Sequence, residues 1–435
     1  GAAQEPPAGA LSLTDALVVA RRESPALAES HAALATAAAD RLQRLGALLP
    51  SVDASISWST AHSRSFTATD VFGDPTAREV AVESTTRGAT QSLGLGVTLF
   101  DGGESWSGVR AATERRRAAD AATRRAWIDV RAAVATAYFA LMESREALGL
   151  ERALLEARRA DVERTEGLFR VAAADAIDLL GVRIEASRQE AGVSAAVEEA
   201  EKAGIDLGRS MGTGGAIESA LAAPLEPFDP DSLDLDALVA AALEAHPELA
   251  RATAEFRAAR AEADAEGWLA YLPTVHGSAG WGRSEFGGSE QEFFHLDPRN
   301  SSWNFRLTLS LPVFDGFARQ AGRARATAAV NAAEERLEAA LLDAEAEVRR
   351  RFLDLRNAWR QLELERTTVE MARERAEMAR ERHRIGAIDF VRLQEVLDQA
   401  TEAERARVLR HYGWYRALVE LERAAGRAVA LPDVP

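Results

Sequence analysis

Four short stretches of the chain alternate apolar and polar residues with a period of two. In the first stretch Val52, Ala54, Ile56 and Trp58 alternate with serines and an aspartate. This period is typical of β-strands with one apolar face, because successive side chains of a strand point to opposite sides. The pattern predicts strands at about 51–61, 91–100, 274–283 and 302–312.

The apolar faces carry aromatic residues near the strand ends, and long polar turns, about 62–91 and 283–301, lie on one side only. Alternation alone also fits amphipathic hairpins packed on a soluble core. Terminal aromatics and one-sided long turns are typical of outer-membrane β-barrels, so they favour strands that cross a membrane. The residues predicted to face lipid are Val52, Ile56, Trp58, Leu93, Leu95, Val97, Trp281, Trp303, Phe305, Leu307 and Leu309.

Four strands cannot close a barrel, and unpaired strand edges are not tolerated in lipid. The sequence therefore predicts that several chains assemble into one barrel. Two chains would supply eight strands, and side chains would fill the interior of that barrel. Three chains would supply twelve strands and leave room for a lumen.

Helical periodicity dominates the remaining sequence. Helices are predicted from Ser12 to about Leu48 and from Leu235 to about Tyr271, each interrupted near a proline. The stretch 104–170 contains no proline, and its apolar residues recur at coiled-coil steps. A helix of that length would extend roughly 100 Å. The predicted seams are Trp127, Val130, Val134, Ala137, Leu141 and Leu148, and then Leu341, Ala344, Val348, Leu355, Ala358 and Leu362.

The chain contains an internal repeat. The tripeptide Phe-Asp-Gly occurs at 100–102 and again at 314–316, and the helix-strand-strand-helix order recurs around it. We therefore predict a first repeat at 1–212, a connector rich in Gly, Pro and Asp at 213–232, and a second repeat at 233–435. Each long helix is expected to turn back at a short tip, at about 170–176 and 384–389.

Composition excludes several function classes. The net charge of −16 argues against nucleic acid as a partner, because phosphate binding needs clustered basic residues. The chain has no cysteine, and its seven histidines lack metal-ligand spacing. No catalytic set, metal site or cofactor motif is recognisable, so we expect no enzyme. The first residues, from Gly1, look like a terminus from which an export signal has been removed.

In the ordered combination of these features the chain resembles the TolC family of outer-membrane factors. The resemblance rests on the tandem duplication, the element order, the two tips and the closing stretch 412–426. It implies an α+β membrane protein in which long coiled-coil helices form a periplasmic α-barrel. Four transmembrane strands per chain would contribute to a trimeric twelve-stranded β-barrel in the outer membrane.

The same resemblance implies partners and sites. The tips would dock on a periplasmic adaptor protein, and through it on an inner-membrane pump of the RND or ABC type. The implied docking residues are Arg170, Val171 and Ala172 in the first tip, and Arg384, Ile385 and Gly386 in the second.

In this family the tunnel narrows near the tip at rings of acidic residues. The matching positions here are Arg392 and Glu395, so a basic residue replaces one acid. Three copies of this pair could hold the aperture shut, or the residues could form ordinary charge pairs along a solvated helix surface. The further gate candidates are Asp389, Asp398 and Asp178.

The expected function is a passive outer-membrane exit channel of a tripartite efflux system that carries small toxic molecules. A type I protein secretion duct is an alternative within the same class. A soluble coiled-coil scaffold is an alternative from a different class. An adaptor protein, which carries one helical hairpin, does not fit the duplication.

Overall fold

The computed structural model describes residues 9–68, 79–171, 175–223, 225–287 and 301–432. Within these residues the chain runs twice through two helices, two strands and two more helices. The elements are α1 (Leu13–Glu23), α2 (Pro25–Gly46), β1 (Ser51–Ala68), β2 (Glu79–Phe100), α3 (Glu104–Arg170), α4 (Ala176–Met211), α5 (Leu235–Ala245), α6 (Pro247–Ala265), β3 (Thr274–Gly287), β4 (Ser301–Ser310), α7 (Ala318–Arg384) and α8 (Phe390–Ala425).

The chain divides into two compact units. The first comprises residues 1–35, 117–254 and 335–435, and the second comprises residues 36–116 and 255–334. Each unit contains segments of both predicted repeats, so the repeat boundaries stay a prediction. The predicted connector contains one short 3-10 turn, Pro230–Ser232, among its described residues.

Prolines separate the short helices, as the sequence predicts. Pro25 begins α2 one residue after α1, and Pro247 begins α6 one residue after α5. Proline lacks an amide hydrogen, so it fits the first turn of a helix and cannot continue the helix before it. The predicted extension of the fourth short helix to Tyr271 is wrong. That helix ends at Ala265, and after Gly267, whose backbone is not helical, a 3-10 turn covers the remaining residues.

The four strands form one antiparallel sheet in the order β1-β2-β3-β4. β1 and β2, with 18 and 22 residues, are longer than predicted. Residues 62–68 and 79–90 continue the strands, so the predicted polar turn at 62–91 is wrong for these residues. These outer parts of β1 and β2 form a two-stranded ribbon that has no continuous apolar face. Polar cross-strand contacts, such as Arg64 with Glu83 at 3.3 Å, stabilise this ribbon. The middle of that predicted turn, including Asp70 and Asp74, lies outside the described residues.

The other two strands also differ from their predicted bounds. β3 continues to Gly287, four residues beyond the prediction, and β4 ends at Ser310, two residues before it. Pro312 follows β4 closely, and proline cannot donate to a strand ladder.

The strand register places the apolar residues on one face of the sheet, because directly paired residues share a face. The opposite face carries polar and small residues. Two apolar rows are Val52–Leu95–Ala279–Phe305 and Ala54–Leu93–Trp281–Trp303. Two polar rows are Ser51–Gly96–Ser278–Arg306 and Asp53–Gly94–Gly280–Asn304.

The first unit has a core built mainly from α3 and α8. Phe139 stacks on Tyr415 with ring centroids 4.5 Å apart, and Trp414 is fully buried beside them. Of the predicted seam residues, all but one are buried or partly buried. Leu341 is 41 % exposed, so the buried part of the second seam begins at Ala344. No helix in the described residues carries an apolar stretch long enough to cross a membrane.

A buried ion pair joins α3 to α8, and its carboxylate also holds the segment that follows α8. Arg131 donates to Glu422, whose residue is only 3 % exposed. The other carboxylate oxygen of Glu422 accepts hydrogen bonds from the amides of Val429, Ala430 and Leu431 at 2.7–2.8 Å. Glu422 therefore holds this segment against the core of the first unit.

His246 links α5 and α6 and gives a pH-dependent prediction. Its Nδ1 accepts a hydrogen bond from the amide of Glu248 at 3.2 Å, which requires an unprotonated Nδ1. Burial lowers the pKa of His246, Arg125 lowers it further, and Glu248 and Asp129 oppose the shift. The unfolded chain therefore binds a proton at a higher pH than the folded chain does. Stability from His246 is complete above about pH 6.5 and is lost as the pH falls towards its folded pKa.

We expect His246→Asn, whose side-chain oxygen can still cap α6, to flatten the fall in stability as the pH drops below about 6.5. The difference in slope cannot exceed about 1.4 kcal/mol per pH unit, the value for one proton. Thermal unfolding followed by circular dichroism at several pH values would measure it. His62→Asn, in the exposed ribbon of β1, is the control for the loss of a histidine. Parallel pH profiles of wild type and His246→Asn would refute the prediction.

Candidate functional site

Both helical tips expose their described residues. α3 ends at Arg170 and is followed by Val171, and α7 ends at Arg384 and is followed by Ile385. All four of these residues are exposed, whereas Ala172 lies outside the described residues. Gly386 has a φ of 74°, a left-handed conformation that favours glycine. Its tip closes with a hydrogen bond from the Ala387 amide to the Arg382 carbonyl at 2.8 Å.

Asp389, a gate candidate, is the N-cap residue of α8. Its side chain accepts a hydrogen bond from the Arg392 amide at 2.7 Å, as an N-cap does. Arg392 in turn donates to Glu395 one turn later, and both side chains are about half exposed. Within one chain, Arg392 and Glu395 therefore form a pair on the surface of a single helix. Their role in a gate stays a prediction.

Asp398 has a partner that the sequence analysis missed. Arg158 of α3 donates to Asp398 at 2.8 Å and to Gln394 at 2.5 Å. The Arg158 side chain is only 12 % exposed. This contact joins the helical hairpin of α3 and α4 to the helical hairpin of α7 and α8, towards the end that carries the tips. Asp178, the remaining gate candidate, is half-buried in the first turn of α4.

A series of ion pairs continues this contact between α3 and α8. Acidic residues of α3 face arginines of α8. Burial raises the pKa of the Glu143 carboxyl, although its partner Arg416 acts to lower it. The bidentate contact from Arg405 lowers the pKa of Glu151. The pairs are Glu151–Arg405, Glu146–Arg407, Glu143–Arg416 and Asp129–Arg423. The sequence does show acidic residues on one predicted helix and arginines at similar intervals on another. Only the fold shows that these two helices are neighbours, so the sequence could not predict the pairs.

Polar contacts also order the four long helices. α4 contacts α3 through Arg183 and Glu166 at 2.7 Å, and α7 contacts α8 through Arg375 and Gln399 at 2.6 Å. Since α3 contacts α8, these polar contacts link the helices in the series α4-α3-α8-α7. The two outer helices therefore each have a side that α3 or α8 does not cover.

Both outer helices expose apolar residues on heptad spacing. We call the exposed residues Leu364, Met371, Met378 and Ile385 the α7 stripe. The exposed residues Ile177, Leu180 and Ile184 form the α4 stripe. Two of them line a groove together with charged and small residues: Leu180, Arg183, Ile184, Ser187, Arg188 and Ala191. Apolar residues seven apart are typical of a helix that packs against another helix.

The apolar face of the sheet is exposed as well. Every residue predicted to face lipid is exposed in the single chain except Val97, which is half-buried beside Gly277. Trp303 is 81 % exposed. At one end of the apolar band the Arg283 guanidinium lies 5.5 Å from the Trp281 ring and donates to Gln91 at 2.7 Å. An exposed apolar sheet of this size requires a cover of lipid or protein.

The family model described as "Outer membrane efflux protein" matches residues 16–213 and 238–427, which together make up most of the chain. The chain belongs to the outer membrane efflux protein family. Two matched segments also agree with the tandem repeat. As an outer membrane efflux protein, the chain belongs to a family of channels rather than enzymes, and its helical part extends into the periplasm.

Solved structures share the fold. A membrane protein from Pseudomonas aeruginosa is 22 % identical, with a TM-score of 0.78 over 95 % of this chain and 90 % of that chain. The Campylobacter jejuni CmeC outer membrane channel is 17 % identical, with a TM-score of 0.78 over 95 % and 85 % of the two chains. The outer membrane protein VceC from Vibrio cholerae is 19 % identical, with a TM-score of 0.76 over 95 % and 96 %. No curated protein sequence matches significantly.

The fold class predicted from the sequence is thereby confirmed: long helices and a four-stranded sheet arranged as two repeats. The outer-membrane location is confirmed as well. The roles predicted for individual tip, gate and lipid-facing residues stay predictions.

Proposed function

We propose that this outer membrane efflux protein is the passive exit channel of a tripartite efflux system. It would carry small toxic molecules from an inner-membrane pump and a periplasmic adaptor across the outer membrane. The observation that carries the proposal is the sheet, whose four strands have one apolar face, one polar face and two outer edges, on β1 and β4. Such a sheet can insert in lipid only as a segment of a closed barrel with a polar interior.

Three copies would close that barrel with twelve strands. Each β1 edge would pair with the β4 edge of the next copy, which satisfies the remaining backbone groups. Small residues on the polar face, such as Gly94, Gly96 and Gly280, would leave space in the lumen. The apolar face, including Trp303 and Phe305, would face lipid.

The helical part favours the same assembly. In the order α4-α3-α8-α7, the α7 stripe of one copy would meet the α4 stripe of the next. This contact is heterologous, because two different surfaces meet, and such contacts generate a closed ring when the rotation between copies closes. Twelve helices from three copies would then line a periplasmic tunnel.

The exposed tips are the proposed docking surface for the adaptor. Val171 and Ile385 each place an exposed apolar side chain beside an exposed arginine, Arg170 and Arg384 respectively. Small residues at the tip, Gly386 and Ala172, would permit a close approach of adaptor helices. A pump of the RND or ABC type would then supply the cargo.

Single-channel recording of the detergent-purified protein in a planar lipid bilayer tests the channel. Discrete conductance steps are expected. A water-soluble protein that gives no steps would overturn the proposal and favour a scaffold. For the cargo, a strain lacking the protein should become more sensitive to toxic small molecules. Loss of an exported protein without such sensitivity would instead favour a secretion duct.

The gate hypothesis gives a separate prediction. If Arg392 and Glu395 narrow the aperture, Arg392→Ala with Glu395→Ala should raise the closed-state conductance several-fold, because smaller, uncharged side chains widen the opening. Single-channel recording would measure the change. Arg380→Ala with Glu377→Ala is the matched control, since these residues form an exposed pair of the same spacing on α7. An unchanged current in the first variant would remove the gate assignment.

A further inference from the structure

A cavity of about 480 Å³ lies in the first compact unit, and none of its lining residues belongs to the α7 stripe or the α4 stripe. It is bounded by the end of α1, the first turns of α2, the first half of α3, the break between α5 and α6, and the residues that follow α8. Its volume lies in the range of small-molecule binding sites. We call it the arginine-lined cavity. Its lining residues are Arg21, Leu27, His31, Thr123, Arg124, Trp127, Ile128, Arg131, Ala245, Pro247, Gly426 and Arg427.

The lining combines apolar and basic groups. Leu27, Trp127, Ile128 and Pro247 supply apolar surface, and four arginines supply positive charge. None of the lining residues is acidic, although the whole chain has a net charge of −16. The cavity is therefore a local positive region on an acidic protein.

The four arginines differ in the partners that their guanidinium groups already have within the chain. Arg131 is paired with the buried Glu422. Arg124 lies 3.6 Å from Asp120, in an exposed pair that solvent screens. The Arg21 guanidinium lies 5.2 Å from the Trp127 ring centroid, over the ring face. An anion near Arg124 and Arg427 would gain charge-assisted hydrogen bonds without displacing a buried pair.

We propose that the arginine-lined cavity binds a small organic anion. Its carboxylate, sulfonate or phosphate group would contact Arg124 and Arg427, and its apolar body would pack on Trp127 and Leu27. Such a ligand would touch three separate segments of the chain: α2, α3 and the residues after α8. Because it binds only the folded state, it would also raise the unfolding temperature.

Isothermal titration calorimetry of the full chain in a nonionic detergent tests the proposal, with 2-naphthoate as the probe. The uncharged 2-naphthalenemethanol is the matched ligand control. We expect one naphthoate per chain, bound at least about tenfold more tightly than the alcohol, together with a rise in unfolding temperature. Arg124→Gln with Arg427→Gln should weaken naphthoate binding by at least about tenfold.

Arg209→Gln, an exposed arginine outside the cavity, should change the affinity less than about twofold. Absence of binding heat, equal affinity for the acid and the alcohol, or full binding by the double variant would each overturn the proposal. Since both altered arginines are exposed, the double variant should keep the wild-type unfolding temperature in the absence of ligand.

Discussion

Glu422→Ala is expected to lower the free energy of unfolding by about 3–5 kcal/mol. The substitution removes the buried carboxylate that accepts from the Arg131 guanidinium. It also removes the shared acceptor of three backbone amides, at Val429, Ala430 and Leu431. A buried donor that loses its acceptor destabilises the folded state by the full desolvation free energy of that donor. The segment after α8 should then detach from the core.

Urea denaturation followed by helical circular dichroism would measure this loss, and proteolysis would detect the released segment. Glu420→Ala is the matched control. Glu420 lies on the same helix, is partly exposed, and approaches Arg351 and Arg423 only to 3.8 and 3.7 Å. We expect the control to cost less than about 1 kcal/mol. Equal losses in both variants would show that the buried pair contributes no more than an exposed one.

Met371→Glu combined with Met378→Glu is expected to abolish the trimer. In the proposed ring the α7 stripe is buried against the α4 stripe of the next copy. A carboxylate placed there would lose its water without gaining a partner, which costs several kcal/mol per group. Both methionines are exposed in the single chain, so the substitutions should leave the fold of the monomer intact.

Mass determination in detergent by light scattering would report the oligomeric state, and circular dichroism would report the helical content. Met371→Leu with Met378→Leu is the control, because leucine keeps an apolar side chain of similar volume. The control should remain trimeric. A glutamate variant that still forms trimers would place the α7 stripe outside the interface and require a different ring.

Local sequence signals located most of the elements. The prolines at 25 and 247 end one helix and begin the next wherever they occur, because the missing amide acts within one turn. The apolar alternation from Val52 to Trp58 places those side chains on one face of any strand. The sequence could not give the full length of β1 and β2. Their outer parts carry no continuous apolar face, so the alternation that marks a strand fades, although the pairing of the two strands continues.

The tips followed from the sequence as well, since a long helical pattern that breaks at Gly386 must turn there. The side chains that pair with the gate candidates could not be predicted from the sequence. Arg158 lies far from Asp398 in sequence, and nothing in either helix alone indicates that they meet. The same holds for Arg131 and Glu422, which are ordinary charged residues in a charged chain until the fold buries them together.

The sequence by itself determined the repeat, the alternation of helices and strands, and the faces of each element. These features depend on periodicity and on proline and glycine, whose effects reach only a few residues. The tertiary structure alone decided which helices are neighbours, which charges are paired, and where the arginine-lined cavity lies. Those properties depend on contacts between residues hundreds of positions apart, for which the local sequence carries no signal.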